Sequence, residues 1–164
     1  RSSLPRRFIA ACEQADADLA RTILAEASNI AALISSQDQR LLADAAWEND
    51  LRAVRLMLEV GFDSRVRGSD DSTPLDRAAF HGFIEVVQLL LQHNPPLTER
   101  NCYGGTPLQT AIYGSTHSWR SDGNFPATIE ALIKAGSRID LDTVPSGNDE
   151  VDMLLRRYLD NPPQ

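Results

Sequence analysis

The sequence predicts an all-α solenoid of helix-turn-helix units that stack side by side and are joined by short β-hairpin-like loops. Three observations lead to this prediction. An apolar anchor residue recurs every 33 residues, a Thr-Pro helix start recurs at the same interval, and the units contain helices too apolar to stand alone. We expect about four repeats and a truncated C-terminal cap helix within a single domain, residues 1–164.

The 33-residue period is clearest at the anchor position. A fixed period of roughly 20–50 residues indicates stacked repeats, because each unit buries its apolar face only against its neighbours. The helix start Thr73-Pro74 returns 33 residues later as Thr106-Pro107. The anchor residues are Ile9, Leu42, Leu75 and Leu108.

Residues 73–91 show how one unit is built. The Thr73 hydroxyl can cap free backbone donors, and Pro74 at the first helical position gives up no N–H that the helix needs. Gly82 then permits a tight reversal of the chain. The second helix, predicted over residues 84–91, is so rich in Val and Leu that adjacent repeats must cover it.

The pattern Thr-Pro-Leu-x-x-Ala-Ala, followed by Gly-x-x-Glu-Val-Val-x-Leu-Leu-Leu, resembles the ankyrin repeat. The resemblance covers nearly the whole chain. It divides the domain into a degenerate N-terminal cap repeat (2–34), three further repeats (35–67, 68–100 and 101–142) and a C-terminal cap (143–164).

The fourth repeat departs from the period by nine residues. The excess is expected in a loop between its two helices, at residues 115–123. Asn124 or Asp122 can cap the helix that follows, since short polar side chains accept hydrogen bonds from free backbone N–H groups. Pro126 then falls in the first turn of that helix.

The resemblance implies a partner-binding surface made of the hairpin tips and the exposed face of the inner helices. An aromatic strip follows that face, because Trp47, Phe80 and Tyr113 occupy one position in three consecutive repeats. Two interpretations stay open: the strip anchors a partner, or it packs internally. The candidate contact residues are Trp47, Phe80, His81, Tyr103, Tyr113, His117, Trp119 and Arg120.

Acidic residues also lie at or near the hairpins and the groove. Glu48, Asp70, Asp71 and Glu99 would suit a basic partner, or they are ordinary solvated charges.

The sequence favours a non-catalytic protein–protein interaction scaffold. No catalytic, cofactor or metal site is evident from motifs. The alternatives are an inhibitor or antidote, and an assembly module within a larger protein. A less favoured alternative is an enzyme or metal site, in which His81, His117 and Asp122 meet at the inserted segment.

Composition excludes several partners. The net charge of −7 disfavours nucleic acid, and no apolar stretch is long enough to cross a membrane. Cys12 and Cys102 do not suggest a disulfide framework, which suits a reducing cytoplasm. We also expect a monomer. Fifteen of the sixteen basic residues are Arg, which suggests a bacterial source. The chain does not begin with Met, which keeps open both a trimmed chain and a part of a longer protein.

Overall fold

The computed structural model describes residues 3–164; Arg1 and Ser2, which include the first residue of the predicted N-terminal cap repeat, lie outside the described residues. The described part contains helices and turns and no strand, so the all-α prediction is confirmed. The α-helices are α1 (Leu4–Glu13), α2 (Ala17–Glu26), α3 (Ser36–Gln39), α4 (Leu41–Trp47), α5 (Leu51–Glu59), α6 (Pro74–His81), α7 (Ile84–Leu91), α8 (Pro107–His117), α9 (Phe125–Lys134) and α10 (Asp149–Asp160). Two short 3-10 helices, Ile30–Leu33 and Leu141–Thr143, complete the secondary structure.

The helices form two rows. In the inner row α6 packs between α4 and α8, and in the outer row α7 packs between α5 and α9. Within each unit an inner helix pairs with the outer helix that follows it, as α6 does with α7. Helix α10 packs on α9 and ends the outer row. The helices thus stack along one direction, as in a solenoid.

Local capping fixes where the inner helices begin. The Thr73 hydroxyl accepts from the N–H of Asp76, and the Asp76 carboxylate accepts in return from the N–H of Thr73. Thr106 and Gln109 make the same reciprocal pair at the start of α8. Each capping box satisfies backbone donors that helix geometry leaves free, which explains why the start recurs in register.

The helix ends explain the irregular fourth repeat. Helices α1, α4 and α6 stop just before residues in the left-handed conformation, which are Ala15, Asn49 and Gly82 with φ of 54°, 59° and 68°. The corresponding residue of the next repeat is Ser115, which instead continues the helix to His117. The prediction of a loop over residues 115–123 was therefore wrong at its start: the loop comprises residues 118–124. Asn124 caps α9 by accepting from the N–H of Ala127.

The core runs between the two rows. Leu42, Leu75 and Leu108 are almost completely buried, as their period predicts, whereas the anchor Ile9 is half-buried and its neighbour Phe8 is fully buried. Cys12 is also fully buried, and burial, reinforced by Glu13, raises the pKa of its thiol to about 12. Such a thiol stays protonated at neutral pH and is a poor nucleophile. Among residues 3–164 no helix combines the length and apolarity needed to span a bilayer.

Candidate partner-binding surface

The aromatic strip is continuous in space. The rings of Trp47 and Phe80 stack with centroids 5.9 Å apart and an interplanar angle of 19°, and those of Phe80 and Tyr113 are 6.2 Å apart. Trp47 and Phe80 are half-buried, whereas Tyr113 is 57% exposed. The first two rings of the strip therefore pack against neighbours, whereas the last ring is more than half exposed.

Trp119 lies against this strip from the inserted loop. Its ring meets Trp47 edge-on at 5.7 Å and Phe80 at 6.1 Å, yet 70% of the residue remains exposed. Aromatic pairs in such geometry contribute about 0.5–1.5 kcal/mol beyond the area they bury. The contacts hold the indole at one place on the surface without covering it.

His81 lies beneath the aromatic residues and not among them. It is only 1% exposed, and its ring centroid lies 4.2 Å from that of Trp47 and 5.0 Å from that of Trp119. Burial, then the charge of Arg120, lowers the pKa of His81, against an opposing effect of Asp122. Its inclusion among the contact residues was therefore wrong: a buried, neutral ring supports the surface and does not form it.

Polar contacts fix the inserted loop to the inner helices. The ring nitrogen Nδ1 of His81 is hydrogen-bonded to Ser118 Oγ at 2.7 Å, and Ser118 Oγ accepts from the Arg120 N–H at 3.2 Å. The Arg120 guanidinium donates to both oxygens of Asp122, at 3.0 and 2.7 Å. That pairing, with a further bond from Asn49, lowers the pKa of Asp122 to about 2. Arg120 is thus engaged within its own loop.

Arg120 also stacks on an apolar ring. Its guanidinium carbon lies 5.0 Å from the centroid of Phe83, which is 2% exposed at the start of α7. A cation over an aromatic face is stabilised by about 0.5–1 kcal/mol at an exposed site. Sequence reasoning missed Phe83 and Asn49 as supports of the loop, because both lie in other repeats and only the folded path of the loop brings them close.

The extra turn of α8 carries His117. Its ring stacks on Tyr113 with centroids 3.8 Å apart and an interplanar angle of 7°, and its Nδ1 is 2.9 Å from the carbonyl oxygen of Tyr113. His117 is exposed, and one face of the Tyr113 ring is covered by it. The two rings form a single flat projection at the end of the strip.

The hairpin tip of the fourth repeat also contributes to this surface. The side-chain oxygen of Asn101 accepts from the N–H groups of Tyr103 and Gly105, and its amide donates to Thr110 Oγ1. This local ring of bonds holds the turn, and Tyr103 at its tip is 83% exposed. The predicted placement of Tyr103 at a hairpin tip agrees with this geometry.

A groove of about 840 Å³ lies on this surface. The aromatic strip, Trp119 and the hairpin with Tyr103 all line it. Asp142, Pro145 and Ser146 also line it. Sequence reasoning did not include these last residues, although they follow the fourth repeat, where the next hairpin of the stack would fall. The volume lies within the range of roughly 300–1,000 Å³ found for ligand-binding clefts.

Most of the acidic residues singled out from sequence are paired within the protein. Arg67 contacts both Asp71 and Glu99, at 3.5 and 3.2 Å, and Arg77 contacts Asp70 at 2.9 Å. Burial alone would raise the pKa of Asp70, but hydrogen bonds from Arg77 and from the N–H of Ser72 hold it below its ordinary value.

Arg77 is the buried centre of this charge network. Its guanidinium donates to Asp44 of α4 at 2.8 Å and to Asp70 of the preceding hairpin at 2.9 Å, while its side chain is 9% exposed. Arg77 of α6 thus connects a hairpin tip to the preceding repeat through its two ion pairs. Sequence reasoning missed it, because Arg77 occupies a variable position of the repeat pattern.

Replacing Arg77 by methionine is expected to lower the free energy of unfolding by about 1–2 kcal/mol, measured by urea denaturation. The loss is moderate because Asp44 and Asp70 stay partly hydrated, with side chains 60% and 41% exposed. The folded-state pKa of Asp70 lies below its ordinary value of 3.8. The ionised carboxylate therefore contributes fully to the free energy of unfolding at a pH above 3.8. The difference in unfolding free energy between wild type and Arg77→Met should therefore decrease as the pH falls below about 4.

Arg77→Lys is the matched control for the guanidinium geometry. It keeps the charge but cannot bridge two carboxylates through a fixed planar fork. We expect it to lose more than half of the Arg77 contribution. Equal stability of Arg77→Met and wild type from pH 3 to 7 would show that the network contributes nothing.

The structure does not bring the proposed metal-binding residues together. His81 is bonded to Ser118, His117 is stacked on Tyr113, and Asp122 is paired with Arg120. In the described part of the chain, no group of three or more His, Cys, Asp or Glu side chains is placed to hold a metal ion. The residues of this alternative therefore already have structural roles.

The fold and the groove define a class of protein, the helical-repeat proteins that present a recognition surface along one side of a stack. A family model for ankyrin repeats, in three copies, matches residues 42–143. The chain belongs to the ankyrin repeat family. Ankyrin repeats are generally protein–protein interaction modules.

A curated relative is similar over a shorter segment. Serine/threonine-protein kinase 12 of Arabidopsis thaliana is 34% identical over 68 residues, which is 42% of this chain. The chain covers 15% of the length of that kinase. The similarity is thus confined to a small part of the kinase.

Proposed function

We propose that this protein is a non-catalytic scaffold that binds a protein partner in the groove lined by the aromatic strip and by the hairpin of the fourth repeat. The single observation that carries the proposal is the exposure of Trp119, Tyr113 and Tyr103 on the walls of one groove. Large exposed aromatic side chains mark interaction sites, since they dominate the energetics of many interfaces.

The rigidity of the surface supports this proposal. The inserted loop is fixed by His81, Arg120 and Asp122, so Trp119 loses little conformational freedom when a partner covers it. Preorganised side chains improve affinity because less entropy is lost on association. In this proposal the protein is a monomer when it binds its partner in the groove. The unpaired cysteines, Cys12 and Cys102, support our placement of the protein in the reducing cytoplasm.

The test is site-specific photo-crosslinking in cells that make the protein. A benzophenone side chain at Thr116, an exposed residue that lines the groove, should give discrete crosslinked species. Adding Trp119→Ala should reduce their yield at least tenfold, since a central aromatic anchor is worth about 2 kcal/mol or more. The variant should fold normally, because 70% of Trp119 is already exposed.

The control places the same benzophenone at Met153, which is 72% exposed on α10. We expect no shared crosslinked species from that position. Equal yields from Thr116 and Met153, or a yield from Thr116 that does not depend on Trp119, would exclude the groove as the binding site. A loss of stability in Tyr113→Ala with unchanged crosslinking would show that the strip is packing only.

A further inference from the structure

We infer that the groove binds an arginine-bearing segment of the partner protein, an inference that rests on the proposed function and specifies its chemistry. The arginine side chain would stack on the aromatic wall and pair with carboxylates of the groove. Two independent features of the groove carry this inference: the sign of its exposed charges and the free faces of its aromatic residues.

The exposed charges of the groove are negative. With histidine counted as neutral, as in the net charge of −7, four charged residues line it in the described part of the chain, and Arg77 and Asp76 are 8% and 4% exposed. The other two, Asp70 and Asp142, are exposed to solvent. Asp70 shares the single guanidinium of Arg77 with Asp44, and among residues 3–164 no cation lies within ion-pair distance of the Asp142 carboxylate. A cationic side chain entering the groove therefore meets carboxylates and no exposed cation of the lining.

The surroundings of the groove do not reverse this sign. Arg120 is paired with Asp122, and Arg67 with Asp71 and Glu99. Arg100 lies at the rim, where it donates to the carbonyl of Gly104 and to Gln109. The net charge of the chain is −7, which adds a long-range attraction for a basic segment.

The aromatic residues favour a planar cation. Trp119 and Tyr103 line the groove and are 70% and 83% exposed. Among the described residues, no aromatic ring packs against Tyr103. Indole is the best aromatic surface for a cation, and a guanidinium stacks on it while its edge N–H groups remain free to donate to carboxylates. A lysine ammonium offers a point charge without that planar geometry. The carboxylates of Asp70 and Asp142 would repel an acidic segment.

The test uses a phage-displayed library of random twelve-residue peptides selected on the intact chain. We expect arginine to be enriched several-fold over its library frequency. The best peptide, labelled with fluorescein, should bind at least tenfold more weakly when its arginine is replaced by citrulline, which keeps the shape and removes the charge. Replacement by lysine should weaken binding less. Fluorescence polarisation measures each affinity.

Variants of the protein locate the bound peptide. Asp142→Asn and Trp119→Ala should each weaken binding at least fivefold. Glu26→Gln, which also removes one exposed negative charge but lies at the end of α2, should change the affinity less than twofold. Circular dichroism melting of each variant shows whether it is folded.

The outcomes separate this inference from the proposed function. Selected peptides that lack arginine but still depend on Trp119 would overturn the inference and leave the groove as the binding site. Arginine peptides that bind Trp119→Ala and Asp142→Asn as tightly as wild type would overturn it as non-specific charge binding. A library that yields no binder also overturns it, while the crosslinking at Thr116 decides the proposed function independently.

Discussion

Replacing Gly114 by alanine is expected to lower the free energy of unfolding by roughly 2–4 kcal/mol. Gly114 is buried in α8, and a β-carbon there would lie 1.9 Å from the carbonyl oxygen of Phe80 and 2.7 Å from its carbonyl carbon. These atoms belong to the backbone of α6, so no side-chain rotation relieves the overlap. The two helices must move apart, and the inner row loses packing where the aromatic strip crosses it.

A second effect acts in the opposite direction and is smaller. Alanine favours a helix over glycine by about 1 kcal/mol, so the substitution would stabilise α8 if space were available. The overlap should exceed this gain because helix backbones do not compress. For a domain of this size the net change corresponds to a fall in Tm of roughly 5–15 °C, which differential scanning calorimetry measures.

Gly105→Ala is the matched control. The same methyl group would find its nearest neighbour, Thr110 Oγ1, at 3.4 Å, which is ordinary contact. We expect its stability to stay within about 1 kcal/mol of wild type. If Gly114→Ala were as stable as Gly105→Ala, the close approach of α8 to α6 would not be a determinant of stability.

The parts of this structure that depend on local chemistry were predictable from sequence. Thr73 and Thr106 begin helices because a hydroxyl and a proline satisfy or remove free N–H groups within three residues. The contact of Trp47 with Phe80 followed from the 33-residue period, since equivalent residues of stacked units become neighbours. The extension of α8 also had a local signal: Ser115 stands where Gly82 ends the preceding inner helix.

The parts that depend on the path of the inserted loop were not predictable. His81 was placed among the contact residues because its position follows Phe80, and only the return of the loop over it buries the ring. Asn49 bonds to Asp122 across 73 residues of sequence, a contact that no repeat period implies. Arg77 likewise joins Asp44 and Asp70 through its length and not through a motif. Sequence reasoning therefore predicted that the aromatic residues of the candidate groove are neighbours, and it missed the polar side chains that support them.

Phe83→Ala is expected to cost about 3–5 kcal/mol of unfolding free energy and to loosen the inserted loop at the same time. Phe83 is 2% exposed, so removing its ring leaves a cavity beside His81, whose ring lies 5.2 Å away. The substitution also removes the face on which Arg120 stacks. Urea denaturation measures the first effect, and amide hydrogen exchange over residues 118–124 measures the second.

Phe83→Leu separates the two effects. Leucine fills most of the cavity, so the loss of stability should fall to about 1–2 kcal/mol, while the aromatic face under Arg120 is still absent. We therefore expect faster exchange in residues 118–124 in both variants, although only Phe83→Ala is strongly destabilised. Ile23→Ala, a buried position of α2, should cost about 2–5 kcal/mol without a selective increase in that loop. If Phe83→Leu left the exchange of the loop unchanged, the position of Trp119 would be set by His81 and Asp122 alone, because the Arg120 stack would then contribute nothing to it.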